Sequence, residues 1–214
     1  RATVTLASIS FLIVRTKGRD FFAYEYSGYW KDVGTLGSYW EANMELIDIV
    51  PEFNLYEEYW RIYTKGDIIP PQYIAADAVT DCCLIGEGTE IYGEVYHSVI
   101  GPNVVIGKGT VVKDSIIMRN TVIGENSVLD KAIIAEDVTV GDNVIIGCGE
   151  EAKNVLKPAV YAFGLATIGE QSVIPDNVKI GRNTAISGIT AAEDYPNGIL
   201  ESGQVIKAKD GEQS

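Results

Sequence analysis

From Ile85 to Ile186 the chain repeats a six-residue phrase: an aliphatic residue, then usually Gly, then polar residues, with a small residue in fifth place. Ile85-Gly-Glu-Gly-Thr-Glu, Ile100-Gly-Pro-Asn-Val-Val, Ile106-Gly-Lys-Gly-Thr-Val and Ile123-Gly-Glu-Asn-Ser-Val are clear copies. Ile134-Ala-Glu-Asp-Val-Thr, Val140-Gly-Asp-Asn-Val-Ile, Ile168-Gly-Glu-Gln-Ser-Val, Ile174-Pro-Asp-Asn-Val-Lys and Ile180-Gly-Arg-Asn-Thr-Ala continue the run. A short fixed period means that each repeat is one structural unit, unable to bury its apolar face until its neighbours stack on it.

Ile100, Ile117 and Ile134 stand seventeen residues apart, the length of two hexapeptides and one pentapeptide. Three short straight segments per coil make a triangular prism. The first residue of each hexapeptide points inward, and the small fifth residue (Thr89, Thr110, Thr121, Ser127, Thr184) lets the corner close. The Gly, Asn and Asp residues between them supply backbone conformations that β-branched residues resist. Coils then stack by backbone hydrogen bonds at a strand spacing of about 4.8 Å. The predicted fold is mainly β, a parallel β-helix. Its repeats resemble those of the left-handed β-helix family, and that resemblance implies the left-handed sense, against the usual crossover rule. Two irregularities are expected. The step from Ile91 to Ile100 is nine residues, so one corner there departs from the pattern, and residues 150–167 leave the prism as a loop suited to contacts with partners. The tail after Ile189 contains Gly198-Ile-Leu as a candidate cap for the prism. The prism does not name a function, because the same shape serves acyltransferases, nucleotidyltransferases and scaffolds.

Charge narrows the field. Lys and Arg total 17 against 30 Asp and Glu, a net charge of −13, which argues against nucleic acid and anionic membranes as partners. The apolar stretch Val4–Val14 is too short to span a bilayer and reads as a buried piece with partners upstream, so the chain is expected to be the C-terminal part of a longer protein. Cys82, Cys83 and Cys148 have no CxxC spacing for zinc, and an adjacent pair plus one points to a reduced, cytoplasmic setting, with all three as small core or corner residues.

Ahead of the repeats the character changes. Residues 1–50 are mixed in character, with a strand from Phe21 to Tyr26. A helix follows on Leu36, Tyr39, Trp40, Asn43, Leu46 and Ile47, with Thr35 as N-cap and Pro51 after its end. Residues 51–73 form a connector broken at Pro51, Lys65-Gly66 and Pro70-Pro71, whose Tyr56, Tyr59, Trp60 and Tyr63 are expected to pack it onto a neighbouring domain. The β-helix is assigned to 74–207 and a polar tail to 208–214.

The chemical signal is Gly28-Tyr-Trp-Lys-Asp-Val-Gly-Thr35 followed by Leu36-Gly-Ser-Tyr-Trp-Glu-Ala-Asn-Met-Glu-Leu46. With Trp60-Arg-Ile-Tyr-Thr, Pro70-Pro-Gln-Tyr-Ile and the repeats behind them, these elements resemble the C-terminal part of the glucose-1-phosphate adenylyltransferases, over about residues 19–207. The resemblance implies a nucleotidyltransferase of glycogen synthesis, joining ATP and glucose 1-phosphate into ADP-glucose and pyrophosphate, with residues 1–50 as the C-terminal remnant of its α/β catalytic domain. It implies Mg²⁺, with Asp32 as a metal ligand and catalytic residue and Trp30 beside the sugar-phosphate pocket. It also implies a homo- or hetero-oligomer whose β-helix serves assembly and allosteric control by an anionic regulator. The family's glycine-rich loop, second metal Asp and sugar-phosphate Lys have no counterpart in these 214 residues, so this chain alone is expected to be inactive.

Each residue also has a plainer reading. Asp32 stands before a helix start, where a carboxylate favours the helix dipole, and Trp30 suits a core as well as a pocket wall. His97, the lone histidine, would matter in a hexapeptide acyltransferase, but its irregular coil fits the adenylyltransferase pattern. Lys108, Lys113, Arg119 and Lys131 are candidate anion ligands, with scattered solvated charge as the simpler account. Two alternatives stand beside the enzyme: a non-catalytic regulatory paralogue of the same pathway, or another hexapeptide-repeat sugar-nucleotide pyrophosphorylase.

Overall fold

Each coil of the computed structural model lays three short parallel strands on three faces. It describes residues 25–48, 50–55, 57–59 and 68–208. The chain divides into two compact units, 1–30 and 31–214. Of the first, residues 25–30 are described, and they hold no regular secondary structure. The Val4–Val14 stretch, most of the Phe21–Tyr26 strand, Tyr56, Trp60, Tyr63 and the end of the tail lie outside the described residues. Tyr59 is fully exposed, so it does not pack the connector onto any of the described residues.

The first face runs Tyr73–Ile74, Glu90–Ile91, Val105–Ile106, Val122–Ile123, Thr139–Val140 and Val173–Ile174. The Glu94–Ile100 strand bends through a corner and so belongs to two faces. Its first half pairs with Val111–Lys113 and its second with Ile116–Ile117. Val105 pairs with Val122, Val111 with Val128 and Ile116 with Ile133, a register of seventeen residues on every face. The first residue of each hexapeptide does point inward: Ile91, Ile106, Ile123, Ile134, Ile168 and Ile180 are all 0–1% exposed. Each such side chain taken out of water contributes about 1.5–3 kcal/mol.

The short corner lies between the first and second faces. Val95 pairs with Val112 and Ile91 with Ile106, so this coil travels from face to face with two residues fewer than the next. Gly93 permits the shortcut, because a Cβ there would stand 2.3 Å from the Thr110 carbonyl oxygen. At the other corners the left-handed conformation recurs once per coil. Asn103, Asn120 and Asp137 have φ of 56–58°, and their side chains bond in series, Asn103 to Asn120 and Asn120 to Asp137. A polar side chain that bonds along the stack offsets the cost of this conformation for a residue with a Cβ.

The small fifth residues do more than close corners. Thr89, Thr110, Thr121, Ser127 and Thr184 are fully buried, and four of them link one coil to the next. Thr110 Oγ1 donates to the Gly124 carbonyl at 2.6 Å and accepts the Ser127 N–H at 3.0 Å. Ser127 repeats the pattern with Gly141 and Val144. Thr110→Val keeps the shape but strands a buried N–H, so it should cost about 2 kcal/mol and lower the melting temperature by roughly 5 °C. Thermal unfolding followed by circular dichroism tests this, and an unchanged midpoint would remove the ladder from the stability argument.

The register jumps by thirty-four residues below Ala132, which pairs with Ala166. The extra chain leaves after Cys148 and returns at Ala166, at the corner joining the second and third faces. Two buried asparagines hold it down. Asn154 donates to the Asn183 carbonyl and accepts the amides of Leu156 and Lys157, all at 2.8–2.9 Å. Asn183 accepts the Gly164 amide at 2.7 Å and donates to the Ala152 carbonyl at 2.9 Å.

The far end is closed differently from the sequence expectation. Ile199–Leu200 is one more strand, paired with Lys179–Ile180, and not a cap. Tyr195 closes the core instead. On the first face Val173 bridges to Ile189, which leaves the small Thr190 in the last inward position. The Tyr195 ring is 2% exposed within the same core, and its hydroxyl meets Thr190 Oγ1 at 2.9 Å.

Candidate functional site

The segment Lys31–Gly34 has no regular secondary structure and leads into helix α1, Leu36–Met44. Thr35 is the N-cap, as the spacing predicts: its Oγ1 accepts the Ser38 amide at 3.1 Å, and Ser38 Oγ accepts the Thr35 amide at 3.0 Å. A short 3-10 turn, Glu45–Ile47, continues the helix before Pro51. Lys31 reaches back to pair with Glu45, and with Glu41 at 3.6 Å. Asp32, one residue on, is exposed, as are Val33 and Gly34. Trp30 belongs to the first unit and is 75% exposed.

The helix lies on the third face of the prism. Met44 packs with Ile116, Ile133 and Leu165, and Leu36, Tyr39, Trp40 and Ile47 border the same cluster. The Trp40 indole N–H donates to the Asp114 carbonyl at 2.7 Å, and the Lys131 ammonium lies 5.4 Å from the Trp40 ring centroid. At the other end Gly37 faces the Phe163 ring so closely that a Cβ would sit 2.8 Å from it. Between the helix start and the insertion runs a groove of about 350 Å³, lined by Val33, Gly34, Thr35, Leu36, Tyr39, Ala159 and Val160.

The other residues singled out by the sequence do not converge. His97 Nδ1 is 2.5 Å from Asp114 Oδ1, and both residues hold left-handed corner conformations one coil apart. That pairing engages the histidine in the corner itself. The Cys82 thiol is exposed beside Asp81, whose carboxylate pushes its pKa up and disfavours the nucleophilic thiolate. Burial does the same for Cys83. Lys113 lies over the Tyr96 ring and Lys131 over Trp40, while Lys108 and Arg119 occupy two other corners, so these cations form no common cradle. Among the described residues no three His, Cys, Asp or Glu side chains stand together as a metal site, and no helix is long and apolar enough to cross a membrane.

A docked helix on a three-faced stack of hexapeptide coils defines a hexapeptide-repeat β-helix protein. A family described as "GlmU-like, C-terminal hexapeptide" matches residues 74–156. Among curated proteins, the chain is 66% identical over 188 residues to glucose-1-phosphate adenylyltransferase of Lachnospira eligens, covering 88% of this chain and 44% of that protein. It is 44% identical over 190 residues to the enzyme so named from Acetivibrio thermocellus, with 89% and 45% covered, and 50% identical over 194 residues to that of Thermotoga neapolitana, with 91% and 46% covered. The chain is therefore homologous to the glucose-1-phosphate adenylyltransferases and corresponds to their C-terminal part. It spans a little under half the length of these relatives. An aligned stretch of 188 residues out of 214 is too long for the prism alone and takes in Trp30–Thr35 and helix α1.

Proposed function

We propose that this chain is the C-terminal part of a cytoplasmic enzyme that joins ATP and glucose 1-phosphate into ADP-glucose and pyrophosphate for glycogen synthesis. The observation that carries the reading is the continuity of the similarity through both the prism and the Asp32 segment. A bare β-helix scaffold would share the repeats only. In the reaction a phosphate oxygen of glucose 1-phosphate attacks the α-phosphorus of ATP and pyrophosphate leaves. Charge builds on the phosphates, so cations and hydrogen-bond donors provide most of the acceleration.

Mg²⁺ commonly takes one or two carboxylates and fills its remaining positions with water and substrate phosphates. Asp32 fits that role as one hard oxygen donor: it is exposed, and the backbone beside it is open at Gly34, where a Cβ would stand 3.6 Å from Asp32 Oδ1. Bound there, Mg²⁺ would neutralise phosphate charge, and Asp32 would orient it. Trp30, exposed in the preceding unit, is the proposed wall of the sugar-phosphate pocket. In this reading the prism serves assembly of an oligomer and its allosteric control.

Asp32→Asn in the complete polypeptide should lower kcat/KM by about two orders of magnitude while the melting temperature holds. Steady-state pyrophosphate release measures it, and near-native activity would sink the metal-ligand assignment. The 214-residue chain by itself should show no turnover of ATP and glucose 1-phosphate. An acyl-transfer reading is disfavoured because the similarity continues through the Asp32 segment, beyond the repeats that a hexapeptide acyltransferase would share.

A further inference from the structure

The geometry points to Trp40 as a positioning residue for Asp32, acting through helix α1; this rests on the reading of Asp32 as a metal ligand. The prism offers Trp40 a rigid acceptor. Asp114 is held on three sides: its N–H donates to the Tyr96 carbonyl at 3.2 Å, its carboxylate meets His97 at 2.5 Å, and its carbonyl takes the Trp40 N–H at 2.7 Å. Its φ of 47° is the corner conformation that His97 and Lys131 share in the coils on either side. A carbonyl fixed in this way sets the height of Trp40 along the prism, and Lys131 under the ring face sets its tilt.

The link then runs through the helix to its start. Met44 is seated in the apolar cluster, so the helix cannot slide without opening it. Gly37 against the Phe163 ring fixes the other end on the insertion. Lys31 is tied to Glu45 and Glu41, which fastens the segment before the N-cap to the side of the helix. Asp32 is thus one residue from an anchor on the helix, while the helix is anchored to the prism by a hydrogen bond spanning 74 residues of sequence. A metal ligand displaced by an ångström loses much of its effect, and the Trp40 N–H removes that freedom from far away.

Trp40→Phe tests this, because it keeps an aromatic ring over Lys131 and on the apolar cluster but deletes the N–H. In the complete polypeptide, binding of Mn²⁺ as its ATP complex, read from the enhancement of water-proton relaxation, should weaken by about tenfold. The Mg²⁺ concentration for half-maximal activity should rise to match, with the KM for glucose 1-phosphate unchanged. A lowered melting temperature with unaltered Mn²⁺ affinity overturns the proposal and leaves Trp40 as packing only. Asp32→Asn in parallel separates the two ideas: if it leaves Mn²⁺ affinity intact, the metal-ligand reading fails. Positioning is then judged on the 214-residue chain alone, with nitroxides on Val33→Cys and Lys108→Cys and the native cysteines replaced. A spin–spin distance distribution that broadens in Trp40→Phe supports it, and one that stays the same overturns it.

Discussion

Ile123→Asp is expected to leave no folded prism. Ile123 is 1% exposed and lies in register between Ile106 above and Val140 below. Removing the side chain forfeits about 2–3 kcal/mol of apolar burial. The carboxylate that replaces it finds only aliphatic neighbours, and an unpaired buried charge costs about 3–5 kcal/mol more. The total is at least about 5 kcal/mol, comparable to the whole stability of many domains. Loss of the β-sheet circular dichroism signal and earlier elution from a gel-filtration column would report it. The neighbouring Val122 points outward and is 42% exposed. Val122→Asp should therefore change stability by no more than about 0.5 kcal/mol. Similar effects of the two substitutions would refute the inward–outward assignment of the repeat.

Tyr195→Ala should be the most damaging change outside the repeats. The ring fills the last coil where Thr190 replaces an inward aliphatic, so truncation opens a cavity beneath Ile174 and should cost about 4 kcal/mol. Tyr195→Phe keeps the ring and loses only the bond to Thr190, for about 1 kcal/mol. The hydroxyl adds a pH dependence. Burial pushes its pKa up from 10.0 to about 12, because the phenolate is the form that the core excludes. The folded pKa lies above the unfolded one, so the contribution is complete below pH 10 and is lost as pH rises through about 12. The difference amounts to about 2–3 kcal/mol. Denaturant unfolding across that window should show native protein losing stability faster than Tyr195→Phe. Parallel pH curves would mean that the hydroxyl is solvated in the folded state.

The repeats were legible because their signal is local. Each inward isoleucine is announced by its own hexapeptide, and the nine-residue step from Ile91 to Ile100 gave away a short corner that the structure places at Gly93. Thr35 and the spacing of Leu36, Tyr39 and Trp40 were enough for the helix, since a cap and an amphipathic stripe are also local properties. What covers what was not legible. Trp40 meets a backbone carbonyl, which any residue at position 114 would supply, so no side-chain type marks the contact. Gly37 could have flagged a close approach, but nothing in the sequence says that Phe163 makes it. The plug was hidden for a related reason. Tyr195-Pro-Asn-Gly reads as a turn, and only the stacking geometry shows that Thr190 leaves room for a ring. For the candidate site, Asp32 was identified by the pattern around it, while the helix beneath it is anchored by residues up to 133 positions away, such as Leu165 and Phe163.

The excursion after Cys148 lengthens the register from seventeen to thirty-four residues, which is one coil's worth of chain. The coils on either side keep the same phase, as though a turn of a spring had been drawn out sideways and bent into a clasp over the helix. Removing residues 149–165 in frame would bring Cys148 to Ala166 and let the winding run on without a skipped beat. A clasped form and an unclasped form of this architecture are thus separated by one genetic step that leaves the spring itself intact, and a lineage can acquire or discard its grip on the helix without inventing a new fold.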